Sequence, residues 1–303
     1  MIERDSVRRF LRRMPAACAC GALAVLPAYV RSQTISPAAG YASPSPSPTP
    51  FDPCGGPGRL LATANRPTVG YSACAVAPHT TVFELGYQNQ VNGTPSNGSV
   101  QSQVPQNFLR VGVAPRFELD VTGPNYVATR QYAPSETGSV TNGVTDSGLG
   151  AKYEFAPAGR WLFAIDALDL PPNGSRFLSA GNATLTGNLD VSYALSPAAG
   201  IGTTIAVSST GGFTPDGVHA RYGVTTPSVV LTTQIPHYYQ FYAEYVYVSK
   251  LAPNLGGRAF LDGGVQKLLG TRTEIDVEYG HSLIGDPGLA FRYVGAGLVV
   301  QLW

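Results

Sequence analysis

From Thr80 to the C-terminus the chain alternates apolar and polar residues with a period of two, the spacing that sends successive side chains to opposite faces of a strand. In Thr81–Gln88, Phe83, Leu85 and Tyr87 share one face, and Glu84 and Gln88 point the other way. Arg116–Val121 repeats the pattern, with Arg116, Glu118 and Asp120 opposite Phe117, Leu119 and Val121. Thr186, Asn188, Asp190 and Ser192 oppose Leu185, Leu189, Val191 and Tyr193. Near the end, Arg272, Glu274, Asp276 and Glu278 oppose Thr273, Ile275, Val277 and Tyr279. No stretch of this region carries the 3.6-residue spacing of a long amphipathic helix.

The alternation predicts twelve strands, near 80–91, 99–112, 116–123, 146–156, 160–170, 183–195, 200–210, 219–234, 237–249, 258–268, 271–281 and 289–303. Short turns at 113–115, 156–159, 196–199, 235–236 and 269–270 alternate with longer Gly/Asn/Pro-rich loops at 92–98, 124–145, 171–182, 211–218, 250–257 and 282–288. An even strand number, with short turns at one rim and longer loops at the other, is the plan of a bacterial outer-membrane barrel. A soluble β-sandwich uses the same period, but its strands average about 5 to 6 residues, whereas most of these reach the roughly 9 to 11 that cross a bilayer when tilted. Aromatic residues recur near strand ends, as in Phe155, Trp161, Tyr239, Tyr247 and Trp303, where interfacial belts form. The predicted fold is therefore all-β, an antiparallel transmembrane β-barrel of about twelve strands over residues 80–303, with both termini periplasmic. Its expected partners are outer-membrane lipid and the barrel-insertion machinery, which the last strand ending in Trp303 would engage.

Residues 1–79 follow other rules. Arg8, Arg9, Arg12 and Arg13 precede an Ala-rich apolar run from Ala16 to Val30, which reads as a signal peptide over residues 1–32 cleaved after Ser32. The apolar run, about 15 residues, is shorter than the roughly 20 of a membrane anchor. Arg8-Arg9-Phe10-Leu11 also resembles a twin-arginine signal, and a lipoprotein cleavage at Cys20 is a further reading, for which Ala17-Cys18-Ala19 is a poor flank. Residues 33–50 form a Pro/Ser-rich periplasmic linker. Residues 51–79 hold Cys54 and Cys74, the two cysteines left in the mature chain, and read as a short disulfide-clipped segment. Such a bridge would stabilise by about 3 kcal/mol through loop closure; two unrelated buried thiols are the alternative.

Composition narrows the function. Charged residues make up 13% of the chain, below the roughly 25% of soluble domains. With a net charge of +1 and no basic patch in the mature chain, nucleic-acid binding is not expected. Most charges fall on the proposed inward face. Glu84, Glu118, Asp120, Glu154, Asp166, Asp190, Glu244, Asp262, Glu274, Asp276 and Glu278 would face Arg110, Arg116, Lys152, Arg160, Arg258, Arg272 and Arg292. Two readings fit this lumen lining: a charged pore that sets solute preference, or a salt-bridged network filling a narrow lumen because its groups cannot face lipid.

Enzymatic signatures are lacking. His79, His219, His237 and His281 each lie at or beside a predicted strand end, and adjacent His281 and Ser282 would face opposite sides of a strand. The chain has no Gly-x-Ser-x-Gly elbow, no His-Glu-x-x-His and no phosphate-binding loop. No catalytic residue, metal or cofactor is expected.

Leu109–Leu119, Tyr193–Pro197, and Leu261–Val265 with Glu274–Asp276 resemble the outer-membrane transporter family of the MetA pathway of phenol degradation. The resemblance spans about residues 80 to 303, in strand-turn-strand patterns, and brings no site residues with it. It implies transport of aromatic or hydrocarbon compounds. The expected function is therefore a passive channel for small solutes, with the loops 124–145 and 171–182 placed to gate or recognise them. The alternative is a non-transporting structural or adhesive barrel, with the Pro/Ser tract reaching peptidoglycan or a periplasmic partner.

Overall fold

The alternating segments all form strands. The computed structural model describes residues 54–302 apart from 56–57, 95, 133–137, 156–157, 215 and 285–289. The expected signal peptide, the Pro/Ser linker and Trp303 lie outside the described residues. Among the described residues, one short helix, α1 (Arg59–Thr63), precedes β1 (Thr81–Thr94), β2 (Asn97–Ala114), β3 (Phe117–Thr122), β4 (Tyr126–Tyr132), β5 (Val140–Val144), β6 (Gly148–Glu154) and β7 (Trp161–Leu170). There follow β8 (Thr184–Ser196), β9 (Ala199–Phe213), β10 (His219–Ile235), β11 (Tyr239–Val248), β12 (Arg258–Leu269), β13 (Thr273–Ile284) and β14 (Phe291–Gln301). All pairings are antiparallel, and β1 pairs with both β2 and β14, from Val82↔Gln301 to Asn92↔Phe291, which closes the sheet.

The lower half of β2, Phe108–Ala114, pairs with β3, and its upper half, Gly98–Val104, with β4. β3 and β4 are therefore two segments of one stave, as are β5 and β6, and the fourteen segments make a barrel of twelve staves. The expected loop at 124–145 is thus largely a strand pair, with Tyr126↔Val144 to Arg130↔Val140 in register. Gly123-Pro124 reads as a loop signal because proline cannot donate to a ladder. In the fold it only interrupts one, and Asn125 and Thr145 carry the staves across by backbone and side-chain hydrogen bonds of 2.9 and 3.0 Å. The expected loop at 92–98 likewise shrinks to a tight hairpin, with Thr94 paired to Asn97.

One irregularity decides which residues face inward. Along β2, Ser99, Gln101 and Gln103 are buried, then Gln106, Phe108 and Arg110, while Val104 and Pro105 between the two sets are both exposed. This is a β-bulge, matched by a register shift between Gly86 and Gln88 on β1. Proline is tolerated there because a bulged residue owes no ladder hydrogen bond. A one-residue slip exchanges the faces of a strand, so the bulge turns Arg110 into the lumen rather than toward lipid.

Outside, the barrel is apolar: Leu119, Leu149, Ile165, Leu185, Val207, Leu231 and Val277 are exposed, while Tyr153, Phe155, Trp161, Tyr239 and Phe241 cluster near the short turns. A closed barrel with an apolar exterior and a polar interior is stable only with lipid around it. The chain is an outer-membrane β-barrel, and its short-turn rim, where β1 begins and β14 ends, is the end that such barrels turn to the periplasm.

Candidate functional site in the barrel lumen

Residues from Cys54 to His79 fold into the barrel instead of standing before it. At the turn rim, Leu60, Leu61, Ala64 and Val76 pack on the wall residues Val82, Leu268 and Val299. Cys54 and Cys74 form a disulfide with Cα atoms 5.5 Å apart, seated with Ala62 and Ala73 against Leu162 and Ala164. From α1 the chain rises to an apex at Pro67–Gly70 and descends through Tyr71–Val76 to His79, where β1 starts. We refer to this segment as the plug.

An irregular chain buried in a lumen exposes backbone donors and acceptors that no ladder satisfies. The barrel wall supplies the partners. Glu84 accepts the amides of Asn65 and Arg66 at 2.9 and 3.0 Å, and Glu244 those of Val69 and Gly70 at 2.5 and 2.8 Å. Glu154 accepts Ala75 N–H at 2.9 Å and Glu118 accepts Val76 N–H at 2.5 Å. Wall cations serve the carbonyls: Arg110 donates to Thr63 and, at 3.2 Å, to Cys74, and Lys152 to Ser72 at 2.8 Å. Charge-assisted bonds of this kind are about twice as strong as neutral ones. The lumen charges therefore act as a mould for the chain's own N-terminal segment.

The plug returns one cation. The Arg66 guanidinium donates to both oxygens of Asp276 at 3.0 and 3.2 Å, to Glu278 at 3.4 Å and to Gln106 at 2.9 Å. Burial opposes its charge, but Asp276 and Glu278 outweigh that and hold it above its ordinary pKa. Space for the group comes from two glycines. A Cβ at Gly86 would stand 2.0 Å from Arg66 Nη1, and one at Gly297 would stand 2.1 Å from Nε.

Of the sequence-predicted lining, Glu84, Arg110, Glu118, Lys152, Glu154, Glu244, Asp276 and Glu278 are buried and bond the plug directly. Asp120, Asp166, Asp190, Arg258, Asp262 and Glu274 are also buried on the inner face. Wall-to-wall ion pairs gather at Arg110, which meets Glu118 at 2.7 Å, Glu84 at 3.3 Å and Asp120 at 4.0 Å, and Lys152 meets Glu118 at 3.8 Å. Four arginines do not line the lumen. Arg116 occupies a tight turn with φ of 65°, Arg160 and Arg272 sit in turns, and Arg292 shares the outward face of β14 with Val294. All four are exposed, because at turns and strand ends the period-two pattern no longer dictates a face and the rim offers water. The pattern also passed over the neutral partners Gln106, Gln266 and Thr204, and Arg66 itself. The glutamines stand at inward positions like the charges, but Arg66 lies in a segment without periodicity.

The plug occupies the lumen from the turn rim up to the level of Glu244 and Asp276. Above its apex, a small vestibule of about 90 Å³ opens toward the loop rim. Arg66, Pro67, Thr68 and Val69 form its floor. Gln88, Gln90 and Gln106 make one wall polar, while Tyr222, Phe260, Phe291 and Tyr293 make the other aromatic. His281 is exposed on the outer face and the Ser282 hydroxyl accepts Phe291 N–H at 3.0 Å, so the two do not meet as a catalytic pair.

No protein-family model matches the chain, and no curated protein matches it in sequence. Solved structures do match in fold. An outer membrane channel from Pseudomonas putida F1 superposes with a TM-score of 0.58 at 11% identity, covering 75% of this chain and 97% of that one. NanC porin gives 0.47 at 10% identity over 72% of this chain and 100% of that one. The translocator domain of the autotransporter NalP from Neisseria meningitidis gives 0.48 at 10% over 73% and 87%. The fold shared with the Pseudomonas channel is the outer-membrane barrel derived above.

Proposed function

We propose that the chain is a passive outer-membrane channel for small solutes, held shut at rest by its own N-terminal plug. The vestibule carries the reading. A barrel serving only as a scaffold has no use for an open, half-aromatic chamber that ends on a segment held by hydrogen bonds rather than by the sheet. Aromatic or hydrocarbon solutes, as the family resemblance implies, would suit the wall of Tyr222, Phe260, Phe291 and Tyr293. No covalent chemistry is assigned, and passage requires only that the plug leave its mould. In proteoliposomes the purified protein should raise swelling in a small neutral sugar above that of protein-free vesicles. Folded protein that leaves swelling at the protein-free rate would instead favour a structural or adhesive barrel.

A further inference from the structure

Among the described residues, one lumen cation has no carboxylate within ion-pair distance. Arg66, Arg110 and Lys152 are each engaged by carboxylates or carbonyls. Arg258, at the start of β12, is equally buried, with 5% of its surface exposed; its Nε has no hydrogen-bond partner, and no described carboxylate lies within ion-pair distance. A buried charge without a partner is costly, so a site that keeps one is shaped for an anion supplied from elsewhere.

The surroundings say which anion. The Arg258 guanidinium lies over the Phe291 ring at 3.9 Å from its centroid. Stacking occupies a face of the planar group and leaves its in-plane N–H fork free for two-point recognition of a carboxylate. Phe260 meets Phe291 edge-on at 5.2 Å, and Tyr293 stacks parallel to Phe291 at 6.1 Å. Tyr293 donates its hydroxyl to Asp262 at 2.9 Å, away from the vestibule lining, so its ring is offered as an apolar surface. Val69 and Val248 pack against the same aromatic cluster. The vestibule's other charges, Arg66 and Glu278, engage each other at 3.4 Å. A single monovalent cation without an ion-pair partner among the described residues, set beside rings, fits a monoanion with a flat apolar body better than a phosphate or a sugar acid.

We propose that the vestibule binds a small aromatic carboxylate, its carboxylate taken by Arg258 and its ring seated on Phe260, Phe291 and Tyr293 above Pro67 and Val69. The inference rests on the vestibule being the outer mouth of a solute path, and it names the solute class. Titration calorimetry of the purified full-length protein tests it with benzoate, its neutral isostere benzamide, and acetate. Benzoate should bind at least about tenfold more tightly than either, the scale of a lost charged hydrogen bond. Arg258→Met should erase the preference for benzoate over benzamide without weakening benzamide, and Arg258→Lys should restore part of it. Equal binding of benzoate and benzamide by the unaltered protein, a comparison that needs no variant to fold, would overturn the proposal; so would an unchanged preference in Arg258→Met. Sugar-driven swelling separates the two levels: swelling without a benzoate preference removes this site and keeps the channel, and a benzoate preference without swelling does the reverse.

Discussion

At the residue scale, the lumen shows how a charge becomes tolerable inside a membrane barrel. Arg110 has no access to solvent, yet its donors reach Glu84, Glu118 and two plug carbonyls. Removing one partner of such a pair leaves the others buried without a counter-charge, which costs about 3 to 5 kcal/mol in dry interiors. Arg110→Met should therefore lower the temperature at which the barrel loses its compact, heat-modifiable form on a gel. Arg272→Met, at an exposed turn, should shift stability by no more than about 0.5 kcal/mol. Equal effects of the two would mean that the Arg110 contacts contribute nothing. The residue roles were partly legible in the sequence. Glu84, Arg110, Glu118 and Glu278 sit at inward positions of clean local alternation, whereas the Val104-Pro105 bulge, which resets the phase between the two halves of β2, is an event that no pattern with a fixed period contains.

At the element scale, the twelve staves and the plug answer to different physics. The staves are specified by alternation, and their order in space follows their order in the chain, so lengths and neighbours could be read from the sequence. Strands β4 and β5 were hidden because Gly123-Pro124 resembles the end of an element, although Tyr126, Val127 and Thr129 favour extended backbone. The plug was illegible beyond its cysteines: residues 54–79 have no period, and their shape is imposed by glutamates, an arginine and a lysine distant in sequence. The disulfide joins the plug's first described residue to its descending arm and closes a ring around α1 and the apex, with a sequence separation of 20. Opening a loop of that size removes about 3 kcal/mol of constraint. Replacing both Cys54 and Cys74 with Ser should raise hydrogen exchange across residues 59–76, while the strands, held by ladder bonds from β1 round to β14, stay protected. Exchange that rises equally in the strands would show that plug and barrel unfold as one unit.

At the scale of the whole molecule, the barrel carries its own obstruction, and the proposed channel is one that this plug keeps shut. The wall carboxylates that hold the plug would face water once it left, so they would be hydrated rather than stranded, and the barrel would survive the plug's departure. That asymmetry permits gating: the sheet is closed by backbone bonds among its own staves, while the plug is held by side-chain hydrogen bonds that water can replace and by apolar packing confined to the turn rim. Current through single molecules in a planar bilayer tests this most directly, comparing the full-length protein with a form lacking residues 54–78. The account predicts a mostly closed full-length channel with brief openings, and a plug-free barrel that conducts steadily. A folded plug-free barrel that passes no current, or a full-length protein that conducts just as steadily, would contradict it.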